Sequence, residues 1–280
     1  METMMFSKLL EQFCQKLIQE ERSAGTVEKY LRDIRAFSVW IGGKELSKEA
    51  TTEWKDYLQS KGYQPTTINS MISALNGFLH FIGREDCHVR FLRIQRRMFR
   101  DPGRDLCRDD YNRLLEVATK NGKFRLRLIL ETICSTGIRV SELQYVTVEA
   151  AKIGRADICL KGKIRTILLP GKLCRKLLKY AKKQKINSGE IFIHQNGKRI
   201  SRCQIWREMK QLSKLAGIDP HKVFPHNLRH LFAVVFYQAC QDIVKLADVL
   251  GHSCIETTRI YLLTTGREHM QQLEQLQLVR

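Results

Sequence analysis

Apolar residues recur every three to four positions along much of the chain, and the rhythm breaks wherever the residues favour a turn. Phe6, Leu9, Leu10, Phe13, Leu17 and Ile18 predict an amphipathic helix over 6–21. Ser23-Ala24-Gly25-Thr26 interrupts it, with Thr26 a candidate N-cap for a second helix whose inner face carries Tyr30, Ile34, Phe37 and Ile41. Gly42-Gly43 closes that helix. A third begins near Ser47 and carries Trp54, Tyr57 and Leu58. Pro65-Thr66-Thr67 opens a fourth, apolar at Ile68, Met71, Ile72, Leu75, Phe78, Leu79 and Ile82. Four helices joined by short connections predict a small bundle.

Later in the chain the pattern is mixed. Residues 109–119 and 123–135 have helical spacing, the second with Leu126, Leu128, Ile129, Leu130 and Ile133. A Thr-Gly break follows, after which Ser141 is placed to cap a new helix. Alternation then takes over: Ile158 to Leu160, a tight Lys161-Gly162-Lys163, and Ile164 to Leu169 predict a β-hairpin with two lysines at its tip. A basic helix over 173–181, a short strand over 191–193 and a helix over 201–216 come next. Leu246, Val249 and Leu250 form an amphipathic ladder ended by Gly251, which puts His252 at a turn, and a short helix with Thr257, Thr258 and Ile260 carries Tyr261 back. The tail from Arg267 to Leu278 reads as a Gln-rich amphipathic helix with Met270, Leu273, Leu276 and Val279 on one side. The expected fold is mainly α with a small antiparallel β-sheet. Residues 1–83 form an N-terminal helical domain, 84–104 an interdomain linker, 105–265 a second domain and 266–280 a C-terminal helix.

Charge separates the two halves. The net charge is +19. Residues 1–83 hold ten Lys plus Arg against ten Asp plus Glu, so the remainder holds 38 against 19. An excess confined to one part of the chain is the footprint of a polyanion-binding surface, nucleic acid before others. The linker concentrates it further, with Arg84, Arg90, Arg93, Arg96, Arg97, Arg100 and Arg104 and no lysine. Guanidinium binds phosphate bidentately, so Arg90, Arg93, Arg96, Arg97 and Arg100 are expected DNA contacts. Nine scattered cysteines without a C-x-x-C favour reduced thiols over disulfides or a zinc site. No run approaches the roughly 18 apolar residues of a membrane span, and the N-terminus has no basic flank and apolar stretch, so a cytoplasmic, nucleoid-associated protein is expected.

Several phosphate-directed groups are spread over separate segments: Arg139, Lys161 or Lys163, His226, Arg229, His252 and Tyr261. His226 and Arg229, three apart, share a helix face. Taken singly each has an ordinary structural reading; together they have a chemical logic. A phenolate can break a phosphodiester and keep the bond energy as a phosphotyrosine. Two arginines would neutralise the non-bridging oxygens. A hairpin lysine would protonate the leaving 5′ oxygen, and a histidine would help deprotonate a phenol whose free pKa is about 10. No metal or other cofactor is required, and no carboxylate cluster is present to hold one.

These residues resemble the tyrosine recombinase (phage integrase) family over nearly the whole chain, in the manner of its simple two-domain, Xer-type members. TGIRVSEL is similar to the family's first arginine box, HNLRH to its His-x-x-Arg box, LGHS to its second histidine box and TTRIY to its nucleophile box. SAGTVEKYLRDIRAF and PTTINSMISALNGFLHFIG resemble its core-binding domain. The resemblance implies Tyr261 as nucleophile, Arg139 and Arg229 holding the scissile phosphate, His252 donating a further hydrogen bond, His226 accepting a proton and Glu142 supporting Arg139. Among the lysines it selects Lys161, before a Gly, but the following interval is one residue short, so Lys163 stays open as the general acid. It also implies a two-domain clamp around duplex DNA, a homotetramer on two recombination sites, and a C-terminal helix packed into a neighbour. The competing readings are a type IB topoisomerase and a DNA-binding protein of the same fold without catalysis.

Overall fold

The computed structural model describes residues 2–94, 102–160, 163–194, 196–252, 254–262, 270 and 274–276. The chain divides into two compact units, Met1–Arg96 and Arg97–Arg280.

In the first unit, α1 (Glu2–Gln19), α2 (Ala24–Ile41), α3 (Lys48–Ser60) and α4 (Pro65–Phe81) follow one another with short connections. The cap of α2 is Ser23, whose hydroxyl accepts from the Thr26 amide at 3.4 Å, so Thr26 lies inside the helix it was expected to cap. α3 begins where expected, with Ser47 as its cap, and Pro65 takes the first turn of α4, where no amide hydrogen is needed. Two apolar clusters form the core. Leu10, Phe13, Leu17, Val27, Ile34, Ala74 and Phe78 make one; Phe37, Trp54, Leu58, Ile68, Ile72, Leu75 and Leu79 belong to the other. The start of the arginine-rich segment packs here too. Cys87 and Val89 are buried in the second cluster, and the side-chain amides of Asn76 and Asn69 bracket the backbone of Val89 and Leu92, each giving and accepting a bond at 2.8–2.9 Å. Arg84 is occupied by Asp86 and the Leu46 carbonyl, whereas Arg90 and Arg93 are exposed. Arg96, Arg97 and Arg100 lie outside the described residues.

The second unit is built on α6 (Phe124–Thr136), whose Ile129, Leu130 and Ile133 are fully buried. Truncating one of these to Ala would cost about 2–5 kcal/mol. Against α6 pack α5 (Arg108–Lys120), α8 (Gly171–Lys183), α9 (Arg202–Leu215) and α10 (Pro225–Cys240). A six-residue 3₁₀ segment, Val140–Tyr145, and α7 (Val148–Ile153) lead into β1 (Arg155–Leu160) and β2 (Lys163–Leu168). These strands pair antiparallel, from Arg155 opposite Leu168 to Leu160 opposite Lys163. Lys163 is therefore part of the ladder and not of the tip, and Lys161 lies outside the described residues. Residues 191–193 make no strand; Ile193 forms an isolated bridge with Arg199. The chain continues through α11 (Ile243–Leu250), capped by Asp242 and stopped by Gly251 at φ 65°, and α12 (Glu256–Arg259), to a 3₁₀ turn, Ile260–Leu262. Among the described residues the fold is mainly helical with one two-stranded antiparallel sheet, and no helix is long and apolar enough to cross a membrane. Most of the expected C-terminal helix falls outside them; Met270 and Leu276, on its apolar side, are each 57% exposed.

Candidate active site

The site forms where α6 ends. Gly137 terminates that helix at φ 66°, a left-handed conformation that costs glycine little. It also lets two later helices come close: a Cβ there would stand 2.4 Å from Phe232 Cδ1 on α10 and 3.0 Å from Leu250 Cδ2 on α11. The Gly137 carbonyl accepts from Arg229 Nη1 at 2.6 Å. One residue type thus closes a helix, admits its neighbours and holds an arginine.

Two residues on, Arg139 caps the 3₁₀ segment. Its amide donates to Glu142 Oε2 at 2.7 Å and its Nη1 donates to Oε1 at 3.1 Å. The sequence pattern pointed to Ser141 as a cap. The carboxylate of Glu142 takes that place because it reaches both the Arg139 amide and its guanidinium. Glu142 is only 3% exposed, and Arg165 Nη2 donates to its Oε2 at 2.5 Å.

His226 lies in the first turn of α10, where Pro225 sits at the start and unpaired amides make the helix end electropositive, and Arg229 follows on the same face. His226 and Arg139 face an open cleft of about 910 Å³, together with Arg229, Arg202, Trp206 and Arg207. Desolvation, then the charges of Arg229 and Arg139, hold the His226 imidazole below its ordinary value. Arg229 is 2% exposed. Beyond Gly137, its Nη2 donates to the Leu250 carbonyl at 2.9 Å and contacts His252 Nε2 at 2.8 Å. Burial and then Arg139 push this guanidinium below its usual range, and Tyr261 opposes them.

His252 follows the Gly251 stop, and its amide donates to the Ala247 carbonyl, which fixes the turn. Its Nδ1 lies 2.8 Å from the hydroxyl of the fully buried Thr258. Desolvation and the charges of Arg229, Arg139, Arg165 and His226 lower it to about 4, so it is neutral at pH 7. Tyr261 is 3% exposed and packs with Ala233, Leu246 and Leu250. Its ring stacks on His252 at 15° and 6.1 Å between centroids, and lies 6.5 Å from the ring of His226.

The structure thus brings together Arg139, Glu142, His226, Arg229, His252 and Tyr261. Three further residues join them that the sequence reading did not single out. His230 is nearer Tyr261 than either other histidine, at 5.1 Å between centroids, with Nδ1 3.6 Å from Asp105 Oδ1. A signal existed, since His230 is four residues from His226 in the same helix. Thr258 is the second; the TTRIY box contains it, but nothing in the box gives its hydroxyl a partner. Arg165 is the third; two residues from the buried Ile167, it shares that residue's face of β2 and is therefore a cation at an inward strand position. Tyr145 and Tyr237 are outside the cluster's chemistry: the Tyr145 hydroxyl donates to the Cys159 carbonyl, and Tyr237 packs against the apolar cluster of Ala233, Leu246 and Leu250.

Residues 104–266 match the phage integrase family, and residues 10–86 match the phage integrase N-terminal SAM-like domain. Tyrosine recombinase XerA of Pyrococcus furiosus is 29% identical over 282 residues, covering 98% of this chain and 95% of the relative. Among solved structures, XerH site-specific recombinase bound to its difH substrate before cleavage superposes with a TM-score of 0.70 at 20% identity, over 96% of this chain and 84% of that one. A lambda integrase tetramer bound to a Holliday junction gives 0.73 at 17% identity, over 91% and 76%. With the family's two regions matched in order and its four sequence boxes meeting at one site, the chain belongs to the phage integrase family.

Proposed function

We propose that this chain is a site-specific DNA recombinase of the Xer type, which breaks and rejoins duplex DNA through a 3′-phosphotyrosine at Tyr261. The observation that carries the reading is the convergence, around one tyrosine, of two arginines and two histidines from three separate segments: Arg139, Arg229, His226 and His252. In the reaction the Tyr261 oxygen attacks phosphorus, the bond to the 5′ oxygen breaks, and the 5′ hydroxyl leaves. Arg139 and Arg229 neutralise the non-bridging oxygens, which carry most of the charge in the transition state. His226 accepts the phenol proton; its lowered affinity for protons keeps it neutral and able to do so near pH 7. His252 adds a hydrogen bond to the phosphate. The general acid for the leaving oxygen comes from the hairpin, Lys161 or Lys163. Attack by the 5′ hydroxyl of a second duplex reverses the chemistry, releases Tyr261 and completes the exchange.

Tyr261 is 3% exposed, stacked on His252 and in contact with Arg229, so cleavage requires a rearrangement that opens its hydroxyl to the scissile phosphate. The substrate is double-stranded DNA carrying a recombination site, and four protomers assemble on two sites, as the lambda integrase tetramer does on its junction. The described arginines Arg90 and Arg93 add backbone contacts from the first unit, and residues 266–280, exposed at Met270 and Leu276, dock on a neighbouring protomer. A cytoplasmic, nucleoid-associated location follows from such a substrate.

Two assays test the reading. A duplex selected for binding from genomic fragments flanking the gene, nicked so that the cleaved end diffuses away, should trap a covalent protein–DNA adduct. Two copies of that duplex on one plasmid should recombine. Relaxation of supercoiled plasmid without recombination would indicate a topoisomerase. Binding without an adduct would indicate a protein that keeps the fold without the chemistry.

A further inference from the structure

We infer that Arg165 is a positioning residue for DNA cleavage, which holds Glu142 and the Gly251-His252 turn so that Arg139 and His252 are free to engage one phosphate. The inference rests on the recombinase reading and extends it to a residue outside the family's boxes. Arg165 lies in β2, opposite Ile158, yet its side chain leaves the sheet for the active site. Its Nη2 reaches Glu142 Oε2 at 2.5 Å and its Nη1 donates to the Val249 carbonyl at 3.1 Å. Its Nε is buried without a hydrogen-bond partner, so the group is seated by these two contacts and by packing. Gly251 is shaped around it: a Cβ at Gly251 would stand 2.5 Å from Arg165 Cδ.

The consequence is electrostatic. Glu142 is a buried carboxylate that accepts from the Arg139 amide, the Arg139 guanidinium and Arg165. A buried carboxylate demands compensation. With Arg165 present, its charge is shared between two cations, and Arg139 is held in place with capacity left for a phosphate. Without Arg165, Glu142 would draw the whole Arg139 guanidinium to itself, and the turn bearing His252 would lose its tie to the sheet.

The test uses the full chain and two nicked duplexes that differ at the scissile position, one with an ordinary phosphodiester and one with a methylphosphonate, in which a neutral methyl replaces a charged non-bridging oxygen. Arg165→Ala should bind DNA within about threefold of the parent and cleave the phosphodiester at least about tenfold more slowly, the scale expected for misplaced catalytic groups. On the methylphosphonate, which asks less of Arg139, the deficit should shrink severalfold. Arg165→Lys keeps the ion pair and loses the Val249 contact; with a melting temperature near the parent's it should show a smaller deficit with the same selectivity, and it decides the matter if Arg165→Ala does not fold. Cleavage at the parental rate by either variant, or a deficit equal on the two substrates, would overturn the inference. A parent that binds both duplexes and cleaves neither would instead overturn the recombinase reading on which it rests.

Discussion

His252 Nε2 lies 2.8 Å from an Nη of Arg229, and because a guanidinium has only donors, the imidazole nitrogen is the acceptor. The proton of neutral His252 therefore sits on Nδ1, which donates to the Thr258 hydroxyl at 2.8 Å. To donate to a phosphate through Nε2, the ring has to acquire a proton there, so engaging DNA involves a change of protonation or tautomer. Nitrogen NMR of ¹⁵N-histidine-labelled protein at pH 7 should show His252 as the Nδ1–H tautomer, with Nε2 unprotonated. Thr258→Val removes the acceptor for that proton and should slow cleavage by about five- to tenfold, the kinetic equivalent of roughly 1 kcal/mol for one hydrogen bond. An Nε2–H tautomer in the DNA-free parent would contradict the assignment.

Stability should depend on pH through the same ring. His252 titrates at about 4 in the folded chain against about 6.5 when unfolded, and His226 is lowered as well. A histidine whose folded affinity for protons is depressed contributes its full share of stability above the unfolded value. It loses that share as pH falls from 6.5 toward 4, because the unfolded chain binds the proton first. The melting temperature should fall across that interval, and His252→Gln should flatten the decline. An unchanged slope in the variant would place the titrating group elsewhere.

Gly137 is the third point of test. Ala at this position would meet the Phe232 ring at 2.4 Å and adopt φ 66°. Overpacking of this kind costs about 1–3 kcal/mol and a left-handed φ about 1–2 more. Chemical denaturation should register the sum, and the displaced Gly137 carbonyl should loosen Arg229 and reduce adduct formation. A Gly137→Ala variant with parental stability would show that α10 and α11 do not depend on this close approach.

Much of the architecture was legible because helical periodicity and caps are local. Ser47, Pro65 and Gly251 punctuate helices where the residue types say they should. Thr26 and Ser141 misled for a shared reason, namely that each has a better-placed competitor nearby, Ser23 in one case and the Glu142 carboxylate in the other. The boxes around Arg139, His226, Arg229, His252 and Tyr261 were readable as motifs. Their mutual contacts were not, since Arg229 meets Gly137 across 92 residues and Leu250 across 21. Arg165 escaped notice because an arginine in a hairpin is ordinarily a surface residue, and only the packing of Gly251 and the burial of Glu142 make it otherwise. Lys163, expected at a turn, pairs with Leu160 because the strands extend further than the alternation suggested.

Locating the covalent bond between the protein and DNA decides whether Tyr261 is the nucleophile. The adduct trapped on a nicked duplex would be digested with nuclease and trypsin and the modified peptide sequenced by mass spectrometry. The phosphoryl group should lie on the tyrosine of the peptide spanning 260–267, and a Tyr261→Phe protein should bind the duplex without forming an adduct. A bond at Tyr237, Tyr145 or any other residue, or an adduct formed by Tyr261→Phe, would rule Tyr261 out as the nucleophile.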